Sequence, residues 1–356
     1  MKIGILNGGG DCPGLNAVTH GVVGAAHQLG WDTVGVIDGF EGILKGDFMP
    51  LDPFETPSIM KLGGTVIGTA NRGPFSAKTG DGEVRQLPRE LLEQVRTSLS
   101  ENGIEALVAV GGDGTLTAAL QLHEVGIPIV GVPKTIDNDL DATAMTFGFD
   151  SAVTCVVDAL DRLYWTALSH KRVMVVEVMG RHAGWIALFG GLGGGAQVVL
   201  IPEIPFQFEK VAEVVQERDK RGKHATLVVV AEGAKTVNGD VVYRSKDKVG
   251  EHRLGGLGDM VGERIQELTG KETRAVKLGH LQRGGSPTSW DRILATRFGV
   301  HAVRLIRQRQ YGRMVAYSSY QVGDVPIADA VDQLKIVDPE GQIVDSARAV
   351  GISFGD

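Results

Sequence analysis

The stretch ALVAVGGDGTLTAALQLHEVGIPIVGVPKTIDND, residues 106–139, decides the fold class of this chain. Its apolar runs at 106–110 and 127–132 predict two buried parallel strands, and the helical spacing at 114–125 predicts a helix between them. Two parallel strands joined by a helix form a βαβ unit with a right-handed crossover. The stretch therefore predicts an α/β fold.

The same alternation continues on both sides of this unit, which predicts doubly wound α/β sheets. Further strands are predicted at 2–6, 33–37, 172–178, 197–202, 225–230 and 275–278, and further helices at 15–29, 89–101, 151–168, 208–220, 256–268 and 290–309. The polar stretch at 235–251 predicts a surface hairpin or loop, and a domain boundary is expected near Phe149.

Composition restricts the class of protein. With 356 residues, 43% hydrophobic and 22% charged, the chain can form two globular domains or one large one. A net charge of −7 argues against a nucleic-acid or membrane-surface partner. Two cysteines, Cys12 and Cys155, indicate no disulfide framework, and neither a leader nor a bilayer-length apolar run is recognisable. We expect a cytoplasmic protein.

Two glycine-rich loops follow predicted strands. GGGDCPG, residues 8–14, could present backbone N–H groups to a phosphate, although a tight βα turn explains it equally well. GGDGT, residues 111–115, adds Asp113, a carboxylate that can bind Mg²⁺, and Gly114, which leaves room for a polyphosphate. Similar GGDG sequences occur in several kinase families, so this loop indicates a phosphoryl donor without defining the acceptor.

The segment PKTIDND, residues 133–139, follows the next strand and carries two carboxylates. Phosphoryl transfer needs a group that accepts the proton of the attacking hydroxyl, and Asp137 could be that base, with Asp139 supporting the metal. An Asx-rich turn is the structural alternative. Cations that suit a phosphate monoester lie near the beginnings and ends of strands further along the chain, and Glu232 could accept hydrogen bonds from sugar hydroxyls. These cations are Arg172, Arg181, His182, Arg274, His280 and Arg283.

Six motifs in order make the chain resemble the phosphofructokinase family of bacterial type. They are GGGDCPG (8–14), GGTVIGT (63–69), GGDGT (111–115), PKTIDND (133–139), VEVMGRHAG (176–184) and GHLQRGGSP (279–287). The resemblance implies transfer of the terminal phosphoryl group of ATP to the 1-hydroxyl of fructose 6-phosphate, giving fructose 1,6-bisphosphate in glycolysis. It implies two doubly wound α/β domains with the active site in the cleft between them. The nucleotide-binding domain would comprise 1–148 and 282–330, and the sugar-phosphate-binding domain 149–281 and 331–356.

The resemblance also implies roles for matched positions. Asp137 would be the base, with Thr135 and Asp139 beside it, and Asp113 would hold Mg²⁺. ATP would be bound by Gly10, Arg72, Asp113, Gly114 and Thr115, with Gly10 and Arg72 at the transferring phosphate. Fructose 6-phosphate would be held by Thr135, Asp137, Met179, Gly180, Arg181, Glu232, His280 and Arg283, and by Arg172 and Arg274 from a neighbouring subunit. A homo-oligomer, either a dimer or a tetramer, is therefore expected.

Departures from the family pattern concern the effector and the donor. His20, Gly24 and Pro53 stand where bacterial allosteric members carry arginines, so the usual effector site is not expected. Pyrophosphate-using members typically carry Asp at position 114 and Lys at 134, whereas some ATP-using members share the pairing of Gly114 with Lys134 seen here. Because a carboxylate at 114 would repel the α-phosphate of a nucleotide, Gly114 favours ATP with Mg²⁺.

Three alternatives stay open at this point. A pyrophosphate-dependent phosphofructokinase would perform the same sugar chemistry with another donor. A nucleotide kinase of the NAD-kinase type would share GGDG without PKTIDND or GHLQRGGSP. A catalytically silent sugar-phosphate sensor would be expected to lack Asp113 or Asp137, and both are present.

Overall fold

A computed structural model of the chain describes residues 1–70, 73–78, 83–239, 243–246 and 252–356. The described chain forms two compact units, each assembled from separate segments. Unit 1 contains residues 1–136, 140–151 and 283–334, and unit 2 contains residues 137–139, 152–282 and 335–356. No helix among the described residues is long and apolar enough to cross a membrane.

Strands and helices alternate as predicted along most of the chain. The first half comprises β1 (Lys2–Asn7), α1 (Leu15–His27), β2 (Asp32–Val36), α2 (Phe40–Lys45), β3 (Phe48–Pro50), α3 (Thr56–Ile59), α4 (Arg89–Glu101), β4 (Ala106–Gly111), α5 (Asp113–Glu124), β5 (Ile129–Pro133) and α6 (Phe149–His170). The second half comprises β6 (Val173–Val178), α7 (Trp185–Gly193), β7 (Val198–Leu200), α8 (Phe208–Lys220), β8 (Thr226–Ala231), β9 (Tyr243–Lys246), β10 (His252–Leu254), α9 (Leu257–Thr269), β11 (Thr273–Lys277), a 3₁₀ turn (Gly279–Arg283), α10 (Ser289–Arg307), β12 (Arg313–Ser318), β13 (Gln321–Pro326), α11 (Ile327–Val331) and α12 (Gln342–Ala349).

Unit 1 is built on a seven-stranded sheet in the order β13-β12-β5-β4-β1-β2-β3. The strands from β12 to β2 pair in parallel, whereas β3 and β13 pair antiparallel at the two edges. The central strands are apolar because helices cover both faces of a doubly wound sheet. Leu6, Val36, Leu107 and Ile129 are buried in one contiguous cluster.

Unit 2 is built on a four-stranded sheet in the order β11-β6-β8-β7, and all its neighbours pair in parallel. Val175, Leu200, Val228 and Ile265 belong to its buried core. Two α/β units with parallel sheets confirm the predicted fold class.

The predicted elements are present, and most bounds shift by one or two residues. The strand expected at 127–132 begins at Ile129, directly after Pro128, whose missing N–H cannot join the ladder. The sequence did not predict α7, whose apolar turns contain Gly190 and two further glycines, poor helix formers. A Cβ on Gly190 would lie 2.6 Å from Val156 Cγ1, so close packing explains that glycine.

The polar stretch expected to form a hairpin or loop at 235–251 is partly outside the described residues, at 240–242 and 247–251. On either side of the second gap, β9 and β10 form an antiparallel pair.

Candidate active site

Three neighbouring strands of unit 1 end at the same edge of the sheet. The pairing of Asn7 with Val110 and of Gly111 with Pro133 brings the ends of β1, β4 and β5 side by side. Ligands bind at the carboxyl ends of such strands in open α/β sheets. A cavity of about 230 Å³ lies there, which we call the strand-end pocket. It is lined by Gly8, Gly9, Gly10, Phe40, Glu41, Ala70, Phe75, Ser76, Lys78, Gly112, Asp113, Gly114, Thr115, Lys134, Thr135 and Arg283.

Glycines keep one wall of this pocket free of side chains. A Cβ on Gly8 would lie 2.5 Å from Thr115 Oγ1, and a Cβ on Gly10 would lie 2.7 Å from Arg283 Nη1. At Gly114, by contrast, a Cβ would meet no heavy atom within 4 Å. The buried side chain of Thr115 packs under the two glycine loops, so the structure gives Thr115 a packing contact and leaves the space at Gly114 open.

Among the described residues, three cations line the strand-end pocket. Lys134 is only 3% exposed, and its ammonium donates to the carbonyl of Gly10. Arg283 Nη1 donates to the carbonyl of Asp11 over 3.2 Å. Lys78 Nζ lies 2.9 Å from Asp113 Oδ2. Charges in a partly water-excluded pocket interact strongly, so these cations suit a polyphosphate. The role of Arg283 at the sugar phosphate stays a prediction; in the structure its guanidinium lies beside Gly10.

Two aromatic rings form the apolar wall of the pocket. Phe40, the first residue of α2, stacks on Phe75 with ring centroids 5.1 Å apart and an interplanar angle of 28°. Sequence analysis missed both. The position of Phe40 just beyond the end of β2 was a usable signal, because β2 neighbours β1. Lys78 was also missed, and no motif marks it.

Among the described residues of the pocket, Asp113 is the carboxylate that the GGDGT motif supplies as a candidate metal ligand. It is the first residue of α5, and its carboxylate faces the pocket. No group of three His, Cys, Asp or Glu side chains suited to a metal occurs among the described residues. A single carboxylate nevertheless fits Mg²⁺, which is commonly bound by one or two carboxylates together with substrate phosphates. Cys12, in the first glycine loop, is buried, and burial raises the pKa of its thiol to about 12, which favours the neutral thiol at neutral pH.

In unit 2, three neighbouring strands again end at one edge. The pairing of Val178 with Ala231 and of Lys277 with Glu177 aligns the ends of β6, β8 and β11. The segments that follow carry five of the residues predicted to bind the sugar phosphate. These are Met179, Gly180, Arg181, Glu232 and His280.

Backbone hydrogen bonds hold these segments together. Glu232 N donates to the carbonyl of Val178 over 2.9 Å, and Gly233 N donates to the carbonyl of Gly180 over 3.1 Å. Gly180 has φ 134, a conformation that favours glycine. Met179 N donates over 3.3 Å to the side-chain oxygen of Gln282, a buried residue that sequence reasoning missed.

The two arginines expected to serve a neighbouring subunit share one carboxylate. Arg172 Nε lies 2.7 Å from Glu272 Oε2, and Arg274 Nη2 lies 2.5 Å from Glu272 Oε1. The hydrogen bond from Arg172 lowers the pKa of Glu272. Glu272 thus orients two guanidinium groups on one face of unit 2, which sequence reasoning did not anticipate.

Of the remaining predicted residues, Thr135 lines the strand-end pocket, and its carbonyl accepts a hydrogen bond from Thr146 Oγ1 over 2.7 Å. Asp137 and Asp139 belong to unit 2, in the short segment 137–139. Arg72 lies outside the described residues.

Of the three positions that lack the effector arginines, His20 and Pro53 make other contacts, whereas the space beside Gly24 is open. His20 Nδ1 lies 3.3 Å from Thr56 Oγ1, and burial lowers the pKa of this imidazole. A Cβ on Gly24 would meet no heavy atom within 4 Å. The carbonyl of Pro53 accepts from Thr56 Oγ1 over 3.3 Å.

Comparison with known proteins identifies the family of this chain. The family model described as phosphofructokinase matches residues 2–306. The chain belongs to the phosphofructokinase family. Among its relatives, the ATP-dependent 6-phosphofructokinase of Chloroflexus aurantiacus is 49% identical over 357 residues, covering 100% of this chain and 98% of the relative. The pyrophosphate–fructose 6-phosphate 1-phosphotransferase of Amycolatopsis methanolica is 49% identical over 343 residues, covering 96% of this chain and 97% of the relative.

Among solved structures of the family, Pichia pastoris phosphofructokinase in the T-state superposes with a TM-score of 0.81 at 30% identity. That alignment covers 98% of this chain and 36% of the yeast chain.

Proposed function

We propose that this chain is an ATP-dependent 6-phosphofructokinase, which transfers the terminal phosphoryl group of ATP to the 1-hydroxyl of fructose 6-phosphate. The observation that carries the donor assignment is the stacked pair of Phe40 and Phe75 in the same pocket as the glycine loops. Pyrophosphate has no group that would use an apolar aromatic wall, whereas the base of a nucleotide does. Relatives with the same sequence identity to this chain are named for either donor, so we assign the donor from the residues that line the pocket.

Within this function, Gly9 and Gly10 admit the phosphates, and Lys134 with Arg283 offsets their negative charge. Asp113 would hold Mg²⁺, which when bound neutralises charge on the donor phosphates. Asp137 accepts the proton of the sugar 1-hydroxyl as the general base.

The sugar phosphate would be bound at the strand ends of unit 2. Arg181, Glu232 and His280, with the backbone at Met179 and Gly180, supply cations and hydrogen-bond acceptors for a phosphorylated sugar. Arg172 and Arg274, held together by Glu272, would serve the site of a neighbouring subunit. The homo-oligomer and the cytoplasmic location are parts of this proposal.

A pyrophosphate donor is the second candidate. It is supported by Lys134, because pyrophosphate-using members of the family typically carry lysine at this position, and the Lys134 ammonium lies beside the carbonyl of Gly10. The family assignment argues against a nucleotide kinase of the NAD-kinase type, and the presence of Asp113 and Asp137 argues against a silent sensor.

The test is a coupled assay of fructose 1,6-bisphosphate formation, run with ATP and with pyrophosphate at equal concentrations. Asp137→Asn keeps the shape of the side chain but removes the base, so we expect turnover to fall by roughly 10²–10⁴-fold with fructose 6-phosphate binding largely kept. Asp141→Asn is the matched control, because Asp141 faces Gln333 at the surface. A preference of the unmodified protein for pyrophosphate would overturn the donor assignment, and normal turnover of Asp137→Asn would remove Asp137 from the mechanism.

A further inference from the structure

The segment 137–139, which carries both predicted catalytic carboxylates, contains one residue in a left-handed backbone conformation. Asn138 has φ 52, in a region that asparagine adopts more often than most side-chain-bearing residues because its short polar side chain can form hydrogen bonds there. Its side chain is only 4% exposed. Because Asn138 lies directly between Asp137 and Asp139, its conformation sets the direction in which the chain presents both carboxylates.

Lys335, almost two hundred residues away in the sequence, holds this segment at two points. Its backbone N–H donates to the carbonyl of Asp139 over 2.9 Å. Its ammonium donates to Asn138 Oδ1 over 3.0 Å. Lys335 therefore contacts Asn138, the left-handed residue, through its side chain and Asp139 through its main chain.

Lys335 is itself anchored. Its carbonyl accepts a hydrogen bond of 2.9 Å from the indole Nε1 of Trp185, the first residue of α7, and its ammonium lies 5.9 Å from the centroid of that ring. Two residues further on, Val337 N donates over 2.9 Å to Glu203 Oε1, which also accepts from Gly184 N over 2.9 Å. The strand-end turn before α7 thus fixes the segment that carries Lys335.

We infer that Lys335 is a positioning residue for the catalytic base: by holding Asn138 in its left-handed conformation, it directs the Asp137 carboxylate. The inference rests on the proposed function, because it needs Asp137 to act as the base. A general base works only within hydrogen-bond reach of the proton that it accepts, and small displacements of catalytic groups are costly. The ammonium of Lys335 acts through Asn138 and has no chemical part in the reaction.

The experiment measures the effect of Lys335→Met in the otherwise unmodified protein and in a protein that carries Asn138→Gly. Methionine keeps an apolar stem beside Trp185 and removes the ammonium, so we expect kcat to fall by roughly tenfold to a hundredfold. The KM for ATP should be unchanged, because the strand-end pocket belongs to unit 1. Lys335→Arg should recover much of the activity, since it restores a donor.

Asn138→Gly supplies the decisive background, because glycine adopts positive φ without support. If Lys335 acts through Asn138, the Lys335→Met change should lower kcat by less than about threefold when glycine is at 138. Equal losses in both backgrounds, or wild-type kcat in the single variant, would overturn the inference.

Two controls accompany these variants. Gln333 lies two residues before Lys335 in the sequence and contacts Asp141 at the surface. Gln333→Ala removes that contact and should leave kcat unchanged. Thermal unfolding of each variant shows whether lost turnover reflects lost folding. Failure of the unmodified protein to phosphorylate fructose 6-phosphate with either donor would refute the proposed function instead.

Discussion

The substitution Gly114→Asp tests why this pocket would accept a nucleotide. A Cβ at Gly114 meets no heavy atom within 4 Å, so the new side chain fits without displacing a neighbour. Gly114 is the second residue of α5, where a non-glycine residue and a negative charge both favour the helix. We therefore expect the variant to be at least as stable as the unmodified protein.

The new carboxylate would face the α-phosphate of ATP. At a separation of about 5 Å and an effective dielectric constant of about 20, two like charges repel by about 3 kcal/mol, or about a hundredfold in affinity. We expect the KM for ATP to rise by about that factor in Gly114→Asp. Any activity with pyrophosphate should fall much less. Pyrophosphate consists only of the transferred phosphate and the leaving phosphate, so it has no group at the position of the α-phosphate.

Gly114→Asn is the matched control, because it has nearly the same size without the charge. The coupled assay is run on all three proteins with each donor, and thermal unfolding checks their folding. An unchanged KM for ATP in Gly114→Asp, or an equal rise in Gly114→Asn, would refute the electrostatic reasoning.

Two further predictions concern the subunit contact and the pH dependence of stability. Arg172→Ala and Arg274→Ala should each raise the fructose 6-phosphate concentration for half-saturation, because a charge-assisted phosphate contact is lost. Mixing Arg172→Ala with Asp137→Asn should restore activity in hybrid oligomers, and hybrids that form without any rescue would contradict a shared site. Asp291 is fully buried, and its Oδ2 accepts hydrogen bonds from Ser151 N over 2.8 Å and from Ser151 Oγ over 2.6 Å. Burial raises the pKa of the Asp291 carboxyl from 3.8 to about 6. The folded chain therefore holds the proton of the Asp291 carboxyl more tightly than the unfolded chain does. As pH rises from about 4 to 6 this advantage is lost, so the free energy of unfolding should fall by about 3 kcal/mol. Asn cannot ionise, so the stability of Asp291→Asn relative to the unmodified protein should rise by that amount across this window in urea unfolding, and a difference independent of pH would contradict the assignment.

Local patterns predicted most of the elements. The apolar runs at 106–110 and 127–132 and the helical spacing between them are properties of neighbouring residues, and the structure has β4, α5 and β5 there. Elements with a weak local signal were missed. In α7 the glycines lower helix propensity, and only contacts such as Gly190 against Val156 compensate for it.

The resemblance to the family implied that both glycine loops contribute to one ATP site. Glycine loops at 8–14 and 111–115 follow parallel strands, and the carboxyl ends of such strands lie at one edge of a sheet. The structure brings both loops, with Lys134, into one pocket. The roles of the individual residues in that pocket stay predictions until the variants are measured.

By itself, the sequence determined the α/β class, the family and the position of each glycine loop and carboxylate along the chain, because hydrophobic periodicity and motif spacing are local. Only the tertiary structure decided which distant side chains support them. Lys78 beside Asp113, Glu272 between two arginines and Lys335 on Asn138 are contacts between separate segments. No periodicity or spacing encodes such contacts, since they arise when strand order and packing bring remote parts of the chain together.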